Sequence, residues 1–137
     1  MSLFNVFEIS GTALSAQGVR LNAIASNLAN AGVVSSTPEA AYRARQPVFA
    51  TIYDSARGSQ QPGGVKIEGV YESKVEPRKE FLPAHPMADD DGHIYLSNVN
   101  SVEEMANMIS ASRSYQSSVE AMNTTKQLII RTLSLGR

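Results

Sequence analysis

The last third of the chain carries a regular stripe of apolar side chains. Between Ser101 and Leu135 there is no glycine or proline, and apolar residues recur at alternating steps of three and four. A mean step of about 3.5 residues is typical of a helix that packs along a narrow seam, as in coiled coils. We therefore expect one long helix here. Its seam consists of Met105, Met108, Tyr115, Val119, Met122, Ile129 and Leu133, with Ser112 and Lys126 in the gaps.

The sequence also indicates where this helix begins and ends. Ser101 is followed three residues later by Glu104. This spacing predicts a capping box, in which the serine oxygen accepts a backbone N–H and the glutamate reaches back to the serine N–H. Gly136 stands where a helix stop is expected.

The first 31 residues carry a second seam with the same spacing. Its apolar members are Phe7, Leu14, Leu21, Ile24, Leu28 and Ala31, and its polar members are Ser10 and Gln17. Two long helices with matching seams can pair along their length. We therefore expect a mainly α fold in which long N- and C-terminal helices form an antiparallel, coiled-coil-like hairpin.

The segment between the helices has the composition of strands and turns. Pro47–Tyr53 is rich in β-forming residues, and Val65–Tyr71 alternates apolar with polar residues over most of its length. Gly58–Gly64 has turn chemistry, so a small β-hairpin is expected. Ile94–Leu96 is a candidate for a further short strand.

These elements divide the 137 residues into two predicted regions. Residues 1–31 and 101–137 form a helical core domain, and residues 32–100 form an extended, β-rich middle region. The chain is long enough for one modest hydrophobic core and too short for two independent ones.

Composition and charge exclude several classes of function. The net charge of −1 gives no electrostatic basis for binding nucleic acid or an anionic membrane. The absence of Cys excludes disulfides, thiolate metal ligands and cysteine nucleophiles. No apolar run is long enough to span a bilayer, and the N-terminus lacks the pattern of a Sec-type signal peptide. We therefore expect a small, soluble protein without a cleaved signal.

The outward faces of both predicted helices carry few charges. Between Asn5 and Ala31 only Glu8 and Arg20 are ionised. A helix that faces water usually carries Glu and Lys in i,i+4 pairs. One interpretation is a solvated face of indifferent composition. The interpretation we favour is that these faces contact other subunits, because both helices share the pattern.

Candidate chemistry is sparse. Asp89–Gly92 resembles the start of a calcium loop, but the Glu required at loop position twelve is replaced by Asn100. His85 and His93 lack a third nitrogen ligand and are weak zinc candidates. There is no nucleophile elbow and no phosphate-binding loop. The sequence predicts no catalytic, cofactor-binding or metal site, and a hydrolase or metal enzyme built on these residues is the least favoured hypothesis.

Several motifs carry a family resemblance. Leu21–Ala31 is similar to the N-terminal helix motif of bacterial flagellar axial proteins. Further stretches narrow the resemblance to the basal-body rod proteins of the proximal rod. These stretches are Tyr42–Phe49, Pro83–Pro86 with Ala88, Asp89 and Gly92, Asn98–Met105, and Met108–Gln116 running on to Leu133–Gly136. The motif residues are Ser26, Asn27, Leu28, Ala29, Asn30, His85, Pro86, Asn98, Val99, Asn100, Arg113, Tyr115 and Gln116.

The resemblance implies a structural role without enzymatic activity or cofactor. Rod proteins are exported through the flagellum's own type III apparatus without a cleaved signal. They assemble helically in the periplasm into a hollow, torque-transmitting shaft that also serves as an export channel. The implied partners are other copies of the chain, sister rod proteins of the FlgB, FlgF and FlgG types, and the basal-body ring and export apparatus. Nucleic acid and small-molecule substrates are not expected.

The residues by themselves leave one alternative open. A free-standing helical hairpin could act as an adaptor or as a secreted interaction protein, with both seams satisfied within one chain. Such a protein would be a stable folded monomer.

Overall fold

Seven helices and strands follow one another in the computed structural model, which describes residues 3–53 and 62–136. They are α1 (Leu3–Ala29), β1 (Val34–Ser35), β2 (Arg45–Tyr53), β3 (Pro62–Glu72), β4 (Arg78–Phe81), β5 (His93–Leu96) and α2 (Ser101–Leu135). The two long terminal helices and the strand-containing middle region are confirmed, and α2 ends before Gly136 as predicted. Of the predicted turn, residues 58–61 lie outside the described residues, and the remaining three belong to β3.

The cap of helix α2 is Asn100. Its Oδ1 atom accepts the backbone N–H groups of Val102 at 3.1 Å and of Glu103 at 3.4 Å. Its carbonyl oxygen accepts the N–H of Glu104 at 3.0 Å. The predicted capping box of Ser101 and Glu104 is therefore wrong. Asn caps a helix as well as Ser does. Asn100 directly precedes Ser101, and its side chain accepts the N–H groups of the first turn, so Ser101 is not the capping residue.

The middle of the chain forms two sheets. Strands β2 and β3 are neighbours in a two-stranded sheet, and the other three strands are ordered β1-β5-β4. Strand β5 is antiparallel to both of its neighbours, with Val34 opposite Leu96 and Phe81 opposite His93. The sequence indicated β2, β3 and β5 but not β1 or β4. A two-residue strand and a charged strand have no apolar pattern, so pairing with β5 specifies both of them.

Contacts within the chain define two compact units, which are described separately here. The first, which we call the helix–ribbon unit, is formed by Met1–Leu21, Pro47–Gly69 and Ser110–Arg137. The second, the asparagine unit, is formed by Asn22–Gln46 and Val70–Ile109. The predicted division into a terminal helical domain and a middle region remains a prediction.

Small residues form the interior of the helix–ribbon unit. A Cβ atom added at Gly11 would lie 3.6 Å from Cε of Met122, so α1 and α2 are close neighbours at this point. The hydroxyls of Ser10 and Thr125 each donate at 2.8 Å to the carbonyl four residues earlier in their own helix. These hydroxyls therefore need no partner from the facing helix. Among the described residues of this unit, the buried ones are Ser10, Ala16, Gly64, Ala111 and Thr125.

The β2–β3 ribbon, which consists of these two strands, contacts α1 within the same unit. The N–H of Val65 donates to Oγ1 of Thr12 at 3.2 Å, and that hydroxyl donates to the carbonyl of Ile9 at 2.9 Å. The neighbouring Gly64 has φ +153°, and a Cβ atom there would lie 2.6 Å from the same Oγ1. Glycine at this position therefore permits the close approach of strand and helix.

The asparagine unit has a small core. Its apolar members come from the last turns of α1, from the loop before β2, from β5 and from the turn before α2. They are Ala23, Ile24, Ala41, Ala44, Ile94 and Val99. Since several of them are alanines, the apolar area that they bury is modest, and polar contacts contribute correspondingly more to the specificity of this unit.

Candidate functional site: the asparagine network and the exposed helix faces

Asn27 is the centre of a buried hydrogen-bond network in the asparagine unit. The residue is only 1% exposed. Its Nδ2 donates to the carbonyl of Arg45 at 2.9 Å, and its Oδ1 accepts the N–H of Arg45 at 2.8 Å. The hydroxyl of Tyr42 donates to the same Oδ1 at 3.0 Å. The amide thus satisfies both backbone groups of one residue, as a neighbouring strand would, and joins α1 to the start of β2.

Two further motif residues extend this network. Because the Tyr42 hydroxyl donates to Asn27, its oxygen is left to accept the hydroxyl of Ser26, which lies 3.1 Å away. The side chain of Asn30 donates to the carbonyl of Ser26 at 2.8 Å. The guanidinium of Arg45 lies over the Tyr42 ring, 5.7 Å from its centroid. The side chains of Asn27, Ser26 and Arg45 therefore contact Tyr42 together and restrict the orientation of its ring.

Asn98, which is half-buried, is a second junction of the same unit. Its Oδ1 accepts the N–H of Ala44 at 2.7 Å, and its Nδ2 donates to the carbonyl of Val75 at 2.7 Å. The neighbouring Ser97 is 0% exposed and donates to the carbonyl of Ala31 at 2.7 Å. These three bonds join residues that are 54, 23 and 66 positions apart in the sequence. Hydrogen bonds between the side chains of Ser97 and Asn98 and distant backbone groups therefore fix the segment before α2.

The loop between β4 and β5 is organised around Asp89. Its Oδ1 accepts the N–H groups of His93 at 2.7 Å and of Asp91 at 3.1 Å, and its Oδ2 accepts the hydroxyl of Tyr95 at 3.1 Å. The bond from the His93 backbone is the main reason that the pKa of Asp89 lies below its ordinary value of 3.8. Burial, with the bond to Asp89, raises the pKa of Tyr95. This carboxylate holds the loop in place.

The two histidines belong to the same loop. Nδ1 of His85 accepts the N–H of Met87 at 3.1 Å, which closes a local turn. The ring of His93 meets the ring of Phe81 edge-on, with 5.2 Å between the centroids, and its Nδ1 lies 3.9 Å from Oδ1 of Asp89. Across residues 3–53 and 62–136, no three His, Asp or Glu side chains are grouped so that they could hold a metal ion.

The other motif residues differ in how far they are exposed to solvent. Val99 is buried, and Asn100 caps α2. Leu28 is half-buried, whereas the exposed motif residues are Ala29, Pro86, Asn100, Arg113, Tyr115 and Gln116. The motif therefore includes both a buried or half-buried hydrogen-bonded set and an exposed set, of which Arg113, Tyr115 and Gln116 lie on α2.

The predicted seam of α1 is buried to different degrees. Ile24 is 4% exposed, and Phe7 is 40% exposed. Leu14, Leu21 and Leu28 are half-buried. The part these residues play in packing or assembly remains a prediction.

The predicted seam of α2 lies beside the most buried row of that helix. Met108, Val119, Met122 and Ile129 are half-buried, whereas Met105, Tyr115 and Leu133 are exposed. The buried residues are Glu104, Ala111 and Thr125, which lie one position before the row of Met105; Ala111 follows Glu104 by seven positions and Thr125 follows Ala111 by fourteen. The small side chains of Ala111 and Thr125 allow close approach, and Met105 and Leu133 of the next row are left on the surface. The assembly role of these seam residues also remains a prediction.

Large apolar side chains are exposed at both ends of α2. In the asparagine unit, Val102, Met105 and Ile109 are 76%, 55% and 57% exposed, and we call them the start patch. In the helix–ribbon unit, the end patch consists of residues that are 46% to 86% exposed. They are Leu128, Ile130, Leu133 and Leu135. The β2 strand adds exposed Val48, Phe49, Ile52 and Tyr53.

Sequence reasoning did not identify several residues of the network. Tyr42 was noted only as part of a motif, and Ser97 was not singled out. A usable signal existed for Asn27, which follows Ala23 by four positions and Ile24 by three and so shares their helix face. A polar side chain on a buried face is almost always hydrogen-bonded. The spacing could not show that its partner is the backbone of Arg45.

The hydrogen-bond network can stabilise the fold, and the exposed side chains of α2 provide apolar surface. The buried amides and hydroxyls bond to backbone groups, and the carboxylate of Asp89 accepts three donors. In the part of the chain described, neither helix has an apolar stretch that would let it cross a membrane.

Comparison with known proteins gives full-length relatives. Residues 7–34 match the family described as flagella basal body rod protein, and residues 90–135 match the C-terminal family of the flagellar basal body rod FlgEFG proteins. The flagellar basal-body rod proteins FlgC of Yersinia enterocolitica and Salmonella typhimurium are each 47% identical over 137 residues, which is 100% of both chains. FlgC of Buchnera aphidicola from Acyrthosiphon pisum is 42% identical over 138 residues and 99% of each chain.

Proposed function

Because the chain belongs to the FlgC family of flagellar basal-body rod proteins, we propose that it packs its terminal helices against neighbouring subunits to build a hollow, torque-transmitting shaft. The family is structural, so the chain is a structural rod subunit and not an enzyme. Its place is the basal-body rod, which lies in the periplasm. The helical arrangement of subunits and the export channel inside the shaft belong to the proposal.

The exposure of large apolar side chains on α2 is the observation that carries this proposal. Monomeric soluble proteins rarely expose contiguous apolar patches of more than a few hundred Å². Val102 at 76% and Leu135 at 86% exposure stand at opposite ends of one helix, with further exposed apolar residues beside each. Such surfaces are expected where neighbouring subunits cover them. Two different surfaces that bind each other make a heterologous contact, which propagates into a helical assembly unless the ring closes.

The proposal includes a coiled-coil-like pairing of the terminal helices. The matching spacing of the two seams supports it, as does the close approach of Gly11 in α1 to Met122 in α2. The row of Ala111 and Thr125 provides small side chains for a tight helix contact. Polar serine and asparagine side chains on the innermost face would keep the channel wet for exported chains.

The proposed partners are other copies of the chain and sister rod proteins of the FlgB, FlgF and FlgG types. The match of residues 90–135 to the C-terminal family of the FlgEFG proteins supports a shared helical packing element. Contacts with the basal-body ring and the export apparatus, and export without a cleaved signal, follow from the same proposal.

The test is incorporation into basal bodies. A strain that lacks the gene should be non-motile and without complete rods, and plasmid-borne wild-type chain should restore both. Leu21→Ala should weaken assembly by about 2–5 kcal/mol per subunit if its site cannot collapse. Asn22→Ala, a change at the exposed neighbouring position, is the matched control. Complete rods in the deletion strain would contradict the proposal.

We also propose that the helices gain order when the subunit is incorporated. The helices are 27 and 35 residues long and carry few charge pairs, so much of their stability depends on packing. Far-UV circular dichroism of the dilute chain should then show less helix than these lengths require. Full helicity with a cooperative melt that does not depend on concentration would contradict ordering on assembly.

A further inference from the structure

We infer that Glu104 is a destabilising residue built into the free chain, which weakens the fold of the asparagine unit before the subunit enters the rod. This inference rests on the proposed rod function and deepens it, because it assigns part of the low order proposed for the free chain to one side chain. Glu104 lies in the first turn of α2. A variant without its carboxylate should therefore resist unfolding better than the wild type.

The side chain of Glu104 lies inside the asparagine unit. The residue is 7% exposed, and its Oε2 is buried and accepts no hydrogen bond from the described residues. The two ion pairs found within residues 3–53 and 62–136 involve other acids, Glu72 in one and Asp89 in the other. Glu104 thus has no cationic partner in this part of the chain. A buried ionised group without a partner is strongly destabilising.

The cap of α2 accounts for the unpaired carboxylate. In a capping box the glutamate would accept the backbone N–H of Ser101. Asn100 is the cap instead, and its Oδ1 accepts the N–H groups of Val102 and Glu103. Glu104 donates its backbone N–H to the carbonyl of Asn100 at 3.0 Å. The backbone of Glu104 therefore belongs to the cap, whereas its side chain points into the unit without the bond that a capping box would provide.

Glu103 is the acid that makes a comparison possible. It lies in the same first turn as Glu104, but its side chain is exposed. Both carboxylates are close to the positive end of the helix dipole, which favours a negative charge by a small amount. Burial without a partner is therefore what distinguishes Glu104. Removing the charge should stabilise the chain at position 104 and not at position 103.

A weakened fold suits a subunit that is exported first and assembled afterwards. An export-competent chain must unfold, so a residue that lowers the stability of the free chain favours this step. Neighbouring subunits in the rod bind only the folded chain and stabilise it by mass action, which would offset the cost of Glu104 after assembly. Such a residue exchanges stability for function.

Urea denaturation of the purified full chain tests the sign of the effect. Met is close to Glu in size and carries no charge, so Glu104→Met fills the same space without burying a carboxylate. We expect its urea midpoint to rise by about 0.5 M or more, with Glu104→Gln between it and the wild type. Glu103→Met is the matched control. It loses only the interaction with the helix dipole, so its midpoint should stay the same or fall slightly.

Two further readouts complete the test. Far-UV circular dichroism without urea should show more helix in Glu104→Met than in the wild type, and no gain in Glu103→Met. In cells that keep their own wild-type chain, pulse-labelled and tagged Glu104→Met should reach the periplasm more slowly than the tagged wild type. Tagged Glu103→Met should arrive at the wild-type rate.

The outcomes separate this inference from the rod function. A lower midpoint in both Glu104→Met and Glu104→Gln would overturn it, since the carboxylate would then stabilise the fold. Unchanged midpoints and helix content would overturn it as well. A rise in Glu104→Gln alone would still support it and would mean that Met does not fit the space.

Export and assembly are judged independently of the urea midpoints. A stabilised Glu104→Met chain that is exported at the wild-type rate would overturn the link between Glu104 and entry into the rod. Basal bodies that contain the wild-type chain would leave the proposed function intact in that case. If the wild-type chain is missing from basal bodies, the proposed function itself fails, whatever the urea midpoints are.

Discussion

In the asparagine unit, buried and half-buried amides and hydroxyls bond to distant parts of the chain, whereas the helix–ribbon unit buries small residues whose hydroxyls bond within their own helix. In the first, Asn27 and Asn98 each hold two or more partners that are 15 to 54 residues away in sequence. In the second, Ser10 and Thr125 are satisfied four residues back. The first unit should therefore respond most to loss of a polar group, and the second to changes in volume.

Removing the Asn27 side chain should have the largest effect. Asn27→Ala removes the partner of the part-buried N–H and carbonyl of Arg45 and one partner of the Tyr42 hydroxyl. Unsatisfied buried groups cost 1–3 kcal/mol each, so we expect a loss of about 3–5 kcal/mol in the free energy of unfolding. Urea denaturation measures it. Asn22→Ala, at an exposed position of the same helix, should change little. Equal losses in the two variants would show that the network does not stabilise the unit.

Enlarging Ala111 tests the packing of the helix–ribbon unit. The residue is 0% exposed, so the larger side chain of Ala111→Leu has no space. Overpacking of this kind typically costs about 1–3 kcal/mol. The same substitution at the exposed Ala121 is the control, and thermal unfolding followed by circular dichroism compares the two variants. A stable Ala111→Leu variant would mean that the helix contact adapts easily.

Acid should weaken the loop of the asparagine unit through Asp89. Its pKa is lowered in the fold, so the carboxylate contributes stability above its ordinary pKa of 3.8, and that contribution is lost as the pH falls through the folded-state value. The Asp89→Asn variant has no carboxylate at this position, so it has no such contribution to lose when the pH falls. The difference in urea midpoint between wild type and variant should therefore be largest near neutral pH and shrink below about pH 4. A difference that stays constant from pH 7 to pH 3 would contradict this role.

The smallest effect on folding is expected at the start patch. Met105→Ser and Ile109→Ser change side chains that are more than half exposed, so the free energy of unfolding should shift by no more than about 0.5 kcal/mol. Incorporation into basal bodies should nevertheless fall, because the proposed subunit contact loses apolar area. The buried Ile94→Ser is the contrasting variant and should destabilise the chain itself. A large loss of monomer stability in Met105→Ser would instead place Met105 in an intramolecular seam.

Residue patterns predicted a large part of the fold. The spacing of apolar residues located both helices, since a long periodic stripe without proline has few other solutions. Strand β2 was predicted from its β-forming residues and β3 from its alternation. Strands β1 and β4 could not be predicted, because each is specified by its partner β5 and not by its own residues. The first residue of α2 is Ser101 as expected, but its cap was assigned one residue late, because two good capping residues are adjacent, Asn100 and Ser101.

The candidate site was harder to predict than the fold. The motif brought attention to Asn27 and Asn98, but their hydrogen-bond partners lie far away in the sequence. Periodicity also placed the α2 seam on the row of Met105, whereas the row of Ala111 is the more buried one. Apolar periodicity shows that a helix has a packing face. It does not distinguish a face covered within the chain from one covered by another subunit.

The sequence by itself determined two long helices, a β-containing middle and the absence of cysteine chemistry, since these depend on local spacing and composition. Only the tertiary structure decided which amides are buried, which residue caps α2 and which apolar side chains are left on the surface. The physical reason is that hydrogen bonds and burial depend on groups that the fold brings together from distant parts of the chain. For Ser97 and Ala31 that separation is 66 residues, and no local pattern encodes it.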